Sequence, residues 1–184
     1  MADFDKAVKV VLKNEGKFND DPHDAGHATA WGISLRFLVL SGLDLNNDNT
    51  IDIKDILSLN PFEAKRIYKT EWWDKYRFGE IQSQVIATKI FDLSVNAGTL
   101  EIIKIVQKAL NKIGQRVTKL PYAVTDGILG SNTINAINYL TQNGKEMELL
   151  AYIKTEAAAY YNKIVALNPK LKVFIKGWLR RING

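Results

Sequence analysis

Apolar residues recur at intervals of three and four along almost the whole chain, and this rhythm, punctuated by strong capping signals, dictates a helical fold. Asp3 opens the first stretch, where Phe4, Ala7, Val8, Val11 and Leu12 share a face and Gly16 supplies the stop, predicting a helix over 4–15. Asn60-Pro61-Phe62-Glu63 places a cap, a first-turn proline and an acidic residue ahead of Ala64, Ile67, Tyr68 and Trp72, predicting a helix over 61–73. Ser83 opens a helix that closes near Gly98, and Thr99 starts another carrying Ile102, Ile103, Val106, Ala109, Leu110 and Ile113 to Gly114. After a turn-rich segment over 115–130, Ser131 is expected to cap a short helix. Residues 145–166 read as one long helix, and Asn168-Pro169 breaks the chain before a basic segment holding Phe174, Trp178 and Ile182. No alternation of period two demands a sheet, although residues 18–34 have room for a small β-hairpin. The expected class is mainly α.

The chain has 184 residues, enough for one domain with a real core, and its 46% hydrophobic and 24% charged residues exclude a disordered or collagen-like chain. No apolar run approaches the roughly 20 residues a bilayer helix needs. Without cysteine, disulfides and thiolate chemistry are excluded. The start, Met1-Ala2-Asp3-Phe4-Asp5-Lys6, is acidic and lacks the form of a secretory leader, so the expectation is synthesis in the cytoplasm and action elsewhere after release. Charge is divided unevenly. Residues 1–100 hold 12 Lys and Arg against 15 Asp and Glu, net −3, while residues 101–184 hold 13 against 5, net +8. The basic half is either an ordinary solvated helical surface or a face for an anionic partner such as nucleic acid, acidic membrane or the bacterial wall.

Glu15 carries the most chemical information. Phe4, Val8, Val11 and Glu15 lie 4, 3 and 4 residues apart, so a carboxyl ends an apolar helical stripe. Burial there disfavours its charged form, and so does the negative end of the helix dipole, which together give a general acid its raised pKa. The alternative is a helix-end Glu that turns into solvent. A loop rich in carboxylates and glycine follows. Glycoside hydrolysis needs one protonated carboxyl for the leaving oxygen and one ionised carboxylate for the oxocarbenium ion or the water. Glu15 suits the first role and Asp24 or Asp21 the second. Thr29 has a hydroxyl able to position water, and Trp31 is either a ring for sugar packing or a core residue.

The residues from Glu15-Gly16 through Asp21-Pro22, Asp24, Gly26, Thr29 and Trp31-Gly32-Ile33 resemble the signature of glycoside hydrolase family 108, phage-type lysozymes also called secretion activator proteins. The resemblance implies a lysozyme-like helical fold, action on peptidoglycan and a catalytic role for Glu15. The order Glu15, Asp24, Thr29 is also similar to T4-type phage lysozymes. Lys65-Arg66-Ile67-Tyr68 with Trp72-Trp73-Asp74 resembles the family's aromatic helix, and Phe91-Asp92 with Val95-Asn96-Ala97-Gly98 its core motif. Asn96 is either a substrate donor or a cap for its own helix end. Gln107-Lys108-Ala109-Leu110-Asn111 and Asp126-Gly127-Ile128-Leu129-Gly130 are similar to a C-terminal peptidoglycan-binding region. The expected organisation is therefore a lysozyme-like part over 1–98 and a wall-binding part over 99–184, packed as one monomeric unit. Lys17, Ala25 and His27 depart from the family's loop pattern, and Lys17 adds a positive charge that opposes a raised Glu15 pKa.

Asp44-Leu45-Asn46-Asn47-Asp48-Asn49-Thr50-Ile51-Asp52-Ile53-Lys54-Asp55 has the spacing of a calcium loop, with oxygen ligands expected from Asp44, Asn46, Asp48, Asp52 and Asp55 and from the Thr50 carbonyl. It resembles one dockerin-type repeat, with Asn49 in place of glycine. A bound Ca2+ would be structural; the alternative is an acidic surface turn. His23 and His27 lack a third ligand at zinc spacing, so neither a catalytic zinc nor any catalytic cofactor is expected. Three functions compete: a glycosidase cutting peptidoglycan, as in a prophage endolysin; an inactive wall-binding module of the same fold; and a basic nucleic-acid binder. The third is the weakest, since Lys104, Lys108 and Lys112 fit ordinary solvated spacing.

Overall fold

The computed structural model describes residues 1–16 and 29–184. Helix α1 (Phe4–Glu15) begins where the Asp3 side chain accepts a hydrogen bond from the Lys6 amide at 3.1 Å, and it ends at Gly16, whose φ of +76° suits glycine alone among common residues. Its buried Ala7, Val8 and Val11 pack against α5 (Gln84–Ala97), the central helix of the molecule. Ser83 caps α5 through the Ile86 amide. Gly98, at φ +87°, lets the chain reverse into α6 (Thr99–Gly114), which lies along α5.

Between α1 and α5 run a short hairpin, β1 (Thr29–Ala30) and β2 (Ile33–Ser34), then α2 (Leu35–Ser41), α3 (Ile53–Ser58) and α4 (Pro61–Tyr68). Asn60 caps α4 as its spacing predicts, but the expected helix over 61–73 widens into a π-helical stretch at Lys69–Asp74. That stretch places Trp73 in an aromatic cluster with Phe4, Phe78 and Phe91, at ring separations of 5.6, 6.1 and 5.4 Å.

Helices α7 (Ser131–Gln142) and α8 (Glu146–Leu167) pack on α6. Ser131 does not cap α7 as expected. Extended Gly130 takes the N-cap position, and Ser131 is already the first helical residue. The preceding turn is instead fixed by Gln107, whose side chain donates to Asp126 Oδ1 (2.8 Å) and accepts from the Gly127 amide (2.9 Å). After Asn168, a 3-10 turn at Pro169–Phe174 leads into α9 (Ile175–Asn183), which packs on α8 and reaches back to α5. One hydrophobic core runs through both halves, from Val11 and Phe91 to Ile153, Tyr161 and Ile182. The fold is mainly α, and among the described residues the only sheet is the hairpin over 29–34. The rest of the span 18–34 lies outside them. Nor is any helix among the described residues long and apolar enough to cross a membrane.

Candidate active site

Glu15 is the last residue of α1, and its side chain remains 17% exposed at the end of the stripe formed by Val8 and Val11. It does not turn away into solvent. Arg181 of α9 donates from Nη2 to Glu15 Oε1 at 2.6 Å, and the same guanidinium donates through Nε and Nη2 to Asp92 Oδ1 at 3.1 and 2.9 Å. Asn14 adds a third donor to that Asp92 oxygen at 3.0 Å. Asp92 is fully buried, and among the described residues its Oδ2 has no partner. Two carboxylates therefore share one guanidinium in a region of low dielectric. Burial raises the Glu15 pKa above its ordinary value; Arg181 pulls it down, Asp92 pushes it up, and burial prevails. The Arg181 carbonyl accepts from Lys89 Nζ at 2.8 Å, which fastens α9 to α5 where the guanidinium must point.

The hairpin closes over the same carboxyl. Trp31 and Gly32 occupy its two-residue turn with φ values of +55° and +77°, the pair of left-handed residues that a type I′ turn requires. Gly32 lies so close to Glu15 that a Cβ there would sit 2.7 Å from Glu15 Cδ and 2.6 Å from the Tyr68 hydroxyl. Tyr68, at the end of α4, donates that hydroxyl to the Trp31 carbonyl at 2.9 Å. Burial, with Glu15 and Asp92 nearby, raises the tyrosine pKa well above its ordinary range and keeps it a donor.

A cavity of about 840 Å³ opens beside this cluster, bounded by Glu15, Lys13, Asn96, Phe174, Trp178 and Arg180. Asn96 Oδ1 accepts from the Tyr161 hydroxyl at 2.6 Å, which occupies its acceptor and leaves its amide N–H groups to other partners. Thr29 pairs with Ser34 in the hairpin register. Trp31 is half-buried against the core. Asp21 and Asp24 lie outside the described residues.

The structure thus brings together Glu15, Asn96 and the Trp31-Gly32 turn from the sequence expectations, and adds Arg181, Asp92 and Tyr68. Asp92 entered the sequence reading only as part of a core motif, and Arg181 only as one cation of a basic segment. Their partners lie 89 and 166 residues apart in sequence, where local spacing carries no signal.

The loop over 44–55 lies elsewhere, between α2 and α3. Asn47 and Asn49 take left-handed conformations, and Asp44 accepts from both their amides, at 2.7 and 2.8 Å. Asn46 accepts from the Asp48 amide and Asp48 from the Thr50 amide. Asp52 caps α3, while buried Asp55 accepts from the amides of Leu45, Asn46 and Asp52. Among the described residues no group of three or more His, Cys, Asp or Glu side chains converges as a metal site.

Residues 8–98 match the family described as Glycosyl hydrolase 108, and residues 101–183 match the one described as Predicted Peptidoglycan domain. Among solved structures, the Structure of Brucella abortus SagA has a similar fold, with a TM-score of 0.73 at 21% identity, over 98% of this chain and 89% of that one. No curated protein matches. The chain belongs to the glycosyl hydrolase 108 family over its first half and continues as a predicted peptidoglycan domain over its second.

Proposed function

We propose that the protein hydrolyses the glycan strand of peptidoglycan with Glu15 as general acid. The observation that carries this reading is a carboxyl of raised pKa at the edge of a cavity large enough for sugar rings. Protonated Glu15 gives its proton to the glycosidic oxygen as the bond to the anomeric carbon breaks. Water then adds its hydroxyl to that carbon, and its proton passes to a second carboxylate, for which Asp24 or Asp21 is the candidate. Thr29 is assigned to hold that water, Trp31 to pack against sugar, and the Asn96 amide to donate to the substrate. Arg181 stabilises the Glu15 carboxylate left after proton donation, and the cost of burying that charge keeps the resting group easily protonated. The place of action is the cell wall or its periplasmic face.

One observation favours a second reading. A guanidinium 2.6 Å from Glu15 is also what a fold without turnover would use to hold a permanent carboxylate, leaving a module that binds wall but does not cut it. Turbidity of purified peptidoglycan separates the two. Wild type should clear the suspension while Glu15→Gln loses at least ~100-fold in rate, the scale of a lost general acid. No clearing by folded wild type on several wall types would transfer the assignment to the binding module. We also propose a structural Ca2+ in the 44–55 loop, held by Asp44, Asn46, Asp48, Thr50, Asp52 and Asp55 after their loop hydrogen bonds rearrange; it supplies order and no chemistry.

A further inference from the structure

The cavity beside Glu15 has a wall that acid catalysis does not use. Phe174 and Trp178 are four residues apart across the start of α9, with ring centroids separated by 5.8 Å and planes inclined at 29°. Trp178 stacks in turn on Tyr161 of α8, at 4.8 Å and 24°, and Tyr161 is buried. Three rings form a ladder whose inner rung is fixed in the core and whose outer rung, Phe174, is 54% exposed. Neighbouring Val173 is 77% exposed. Exposed apolar side chains gathered at the wall of a cavity, in contrast to ones scattered singly, mark a candidate ligand surface.

Gly177 is the second observation. It lies in α9 between the two rings and lines the cavity. Glycine inside a helix is unfavourable by about 0.5–1 kcal/mol relative to alanine. Its φ lies outside the left-handed region, and among the described residues a Cβ built there would meet nothing within 4 Å, so neither backbone strain nor close packing against them calls for a glycine. What the missing side chain preserves is open space in the cavity that Phe174 and Trp178 also line. Lys13 and Arg180 add positive charge to the same cavity.

The geometry points to a saccharide-stacking subsite on Phe174, Gly177 and Trp178, at which the C-terminal half holds a sugar ring of the glycan strand while Lys13 and Arg180 face carboxylates of its stem peptide. This rests on the glycan-strand reading above and deepens it. The second half thereby forms part of the cleft itself, not only a remote wall anchor. A sugar fits because its axial C–H face is apolar and flat while its edge is polar, matching exposed rings beside charged groups. Continuity with Glu15 within one cavity and the complementary charge favour this occupant over a protein helix.

The test measures calorimetric binding of two probes, an N-acetylglucosamine tetrasaccharide and a disaccharide-peptide fragment of peptidoglycan, to full-length Glu15→Gln protein, which cannot turn them over. Phe174→Ala is the main variant because its ring is largely exposed and its loss does not threaten folding. In the Glu15→Gln background it should weaken both probes about tenfold, the equivalent of ~1.4 kcal/mol. Gly177→Leu should abolish binding by filling the space, with its thermal transition retained. Arg180→Ala should weaken only the peptide-bearing probe. Binding within twofold of the parent in both Phe174→Ala and Gly177→Leu would overturn the subsite, as would failure of the parent to bind either probe. Turnover is scored separately. If wild type clears no wall yet these variants lose the probes, the catalytic reading fails and the subsite stands; clearing with unaltered probe binding gives the reverse.

Discussion

At the scale of single residues, the candidate site depends on close approaches that leave no freedom of choice. Gly32 combines a positive φ with a Cβ position already filled by Glu15 and Tyr68. Gly32→Ala should therefore lower stability by about 1–3 kcal/mol from backbone strain alone, and should displace the carboxyl. Thermal unfolding and wall clearing measured together would check it, and an unchanged melting temperature would count against the turn geometry. Arg181 makes a second prediction with a definite sign. Because the folded Glu15 pKa is raised, this group stabilises the fold below its unfolded value near 4.5 and loses that contribution as pH rises through the folded value. Activity that needs protonated Glu15 should fall over the same rise. Arg181→Met removes the charge that pulls the pKa down, so the alkaline limb of the pH–rate profile should move to higher pH. Two buried carboxyls would lose their shared cation, with only Asn14 still donating to Asp92, at a cost of roughly 3–5 kcal/mol in folding stability. The profile distinguishes positioning from mere support, since a structural residue would change the amplitude without moving the limb. Glu15 was legible in sequence because an apolar stripe of period 3.6 ends on it, whereas Arg181 was not because its meaning depends wholly on tertiary docking.

At the scale of elements, legibility follows the locality of the signal. The caps at Asp3, Asn60 and Ser83 act within three residues, and all three were predicted and are present. The widened turn at Lys69–Asp74 escaped prediction because it answers to Trp73 packing on Phe4, Phe78 and Phe91 from three other segments. Gly130 displaced Ser131 for a similar reason, since Gln107, more than 20 residues upstream, already organises the turn. In the 44–55 loop, burial works to raise the Asp55 pKa, but the backbone donors of Asp52, Leu45 and Asn46 outweigh it and hold the carboxyl below its ordinary 3.8. A depressed folded pKa means stability that is present above pH ~3.8 and is lost as pH falls through the folded value. Asp55→Ala should accordingly destabilise the protein at neutral pH even under chelator, by about 1–3 kcal/mol from three orphaned amides. Millimolar Ca2+ should raise the melting temperature of wild type and leave that of Asp55→Ala unchanged. A melting temperature of wild type indifferent to Ca2+ would leave the loop as a self-capped turn.

At the scale of the whole molecule, the class was legible from helical rhythm, but the way the halves share one site was not. Composition shows a second half of net charge +8; it cannot show that one of those cations reaches the end of α1. Because Val11, Phe91, Tyr161 and Ile182 belong to one core, calorimetry should record a single unfolding transition with matching calorimetric and van't Hoff enthalpies. Two resolved transitions would mean that the halves melt independently and that the shared pocket is only a loose contact. The Glu15–Arg181 pair also sets a schedule. The guanidinium follows the carboxyl by 166 positions, and at synthesis rates of about 5–20 residues per second Glu15 is added to the chain roughly 8–33 s before its counter-ion. A nascent chain therefore carries the acid without the group that tunes it, and α9, made long after α1, is the helix that finishes the pocket.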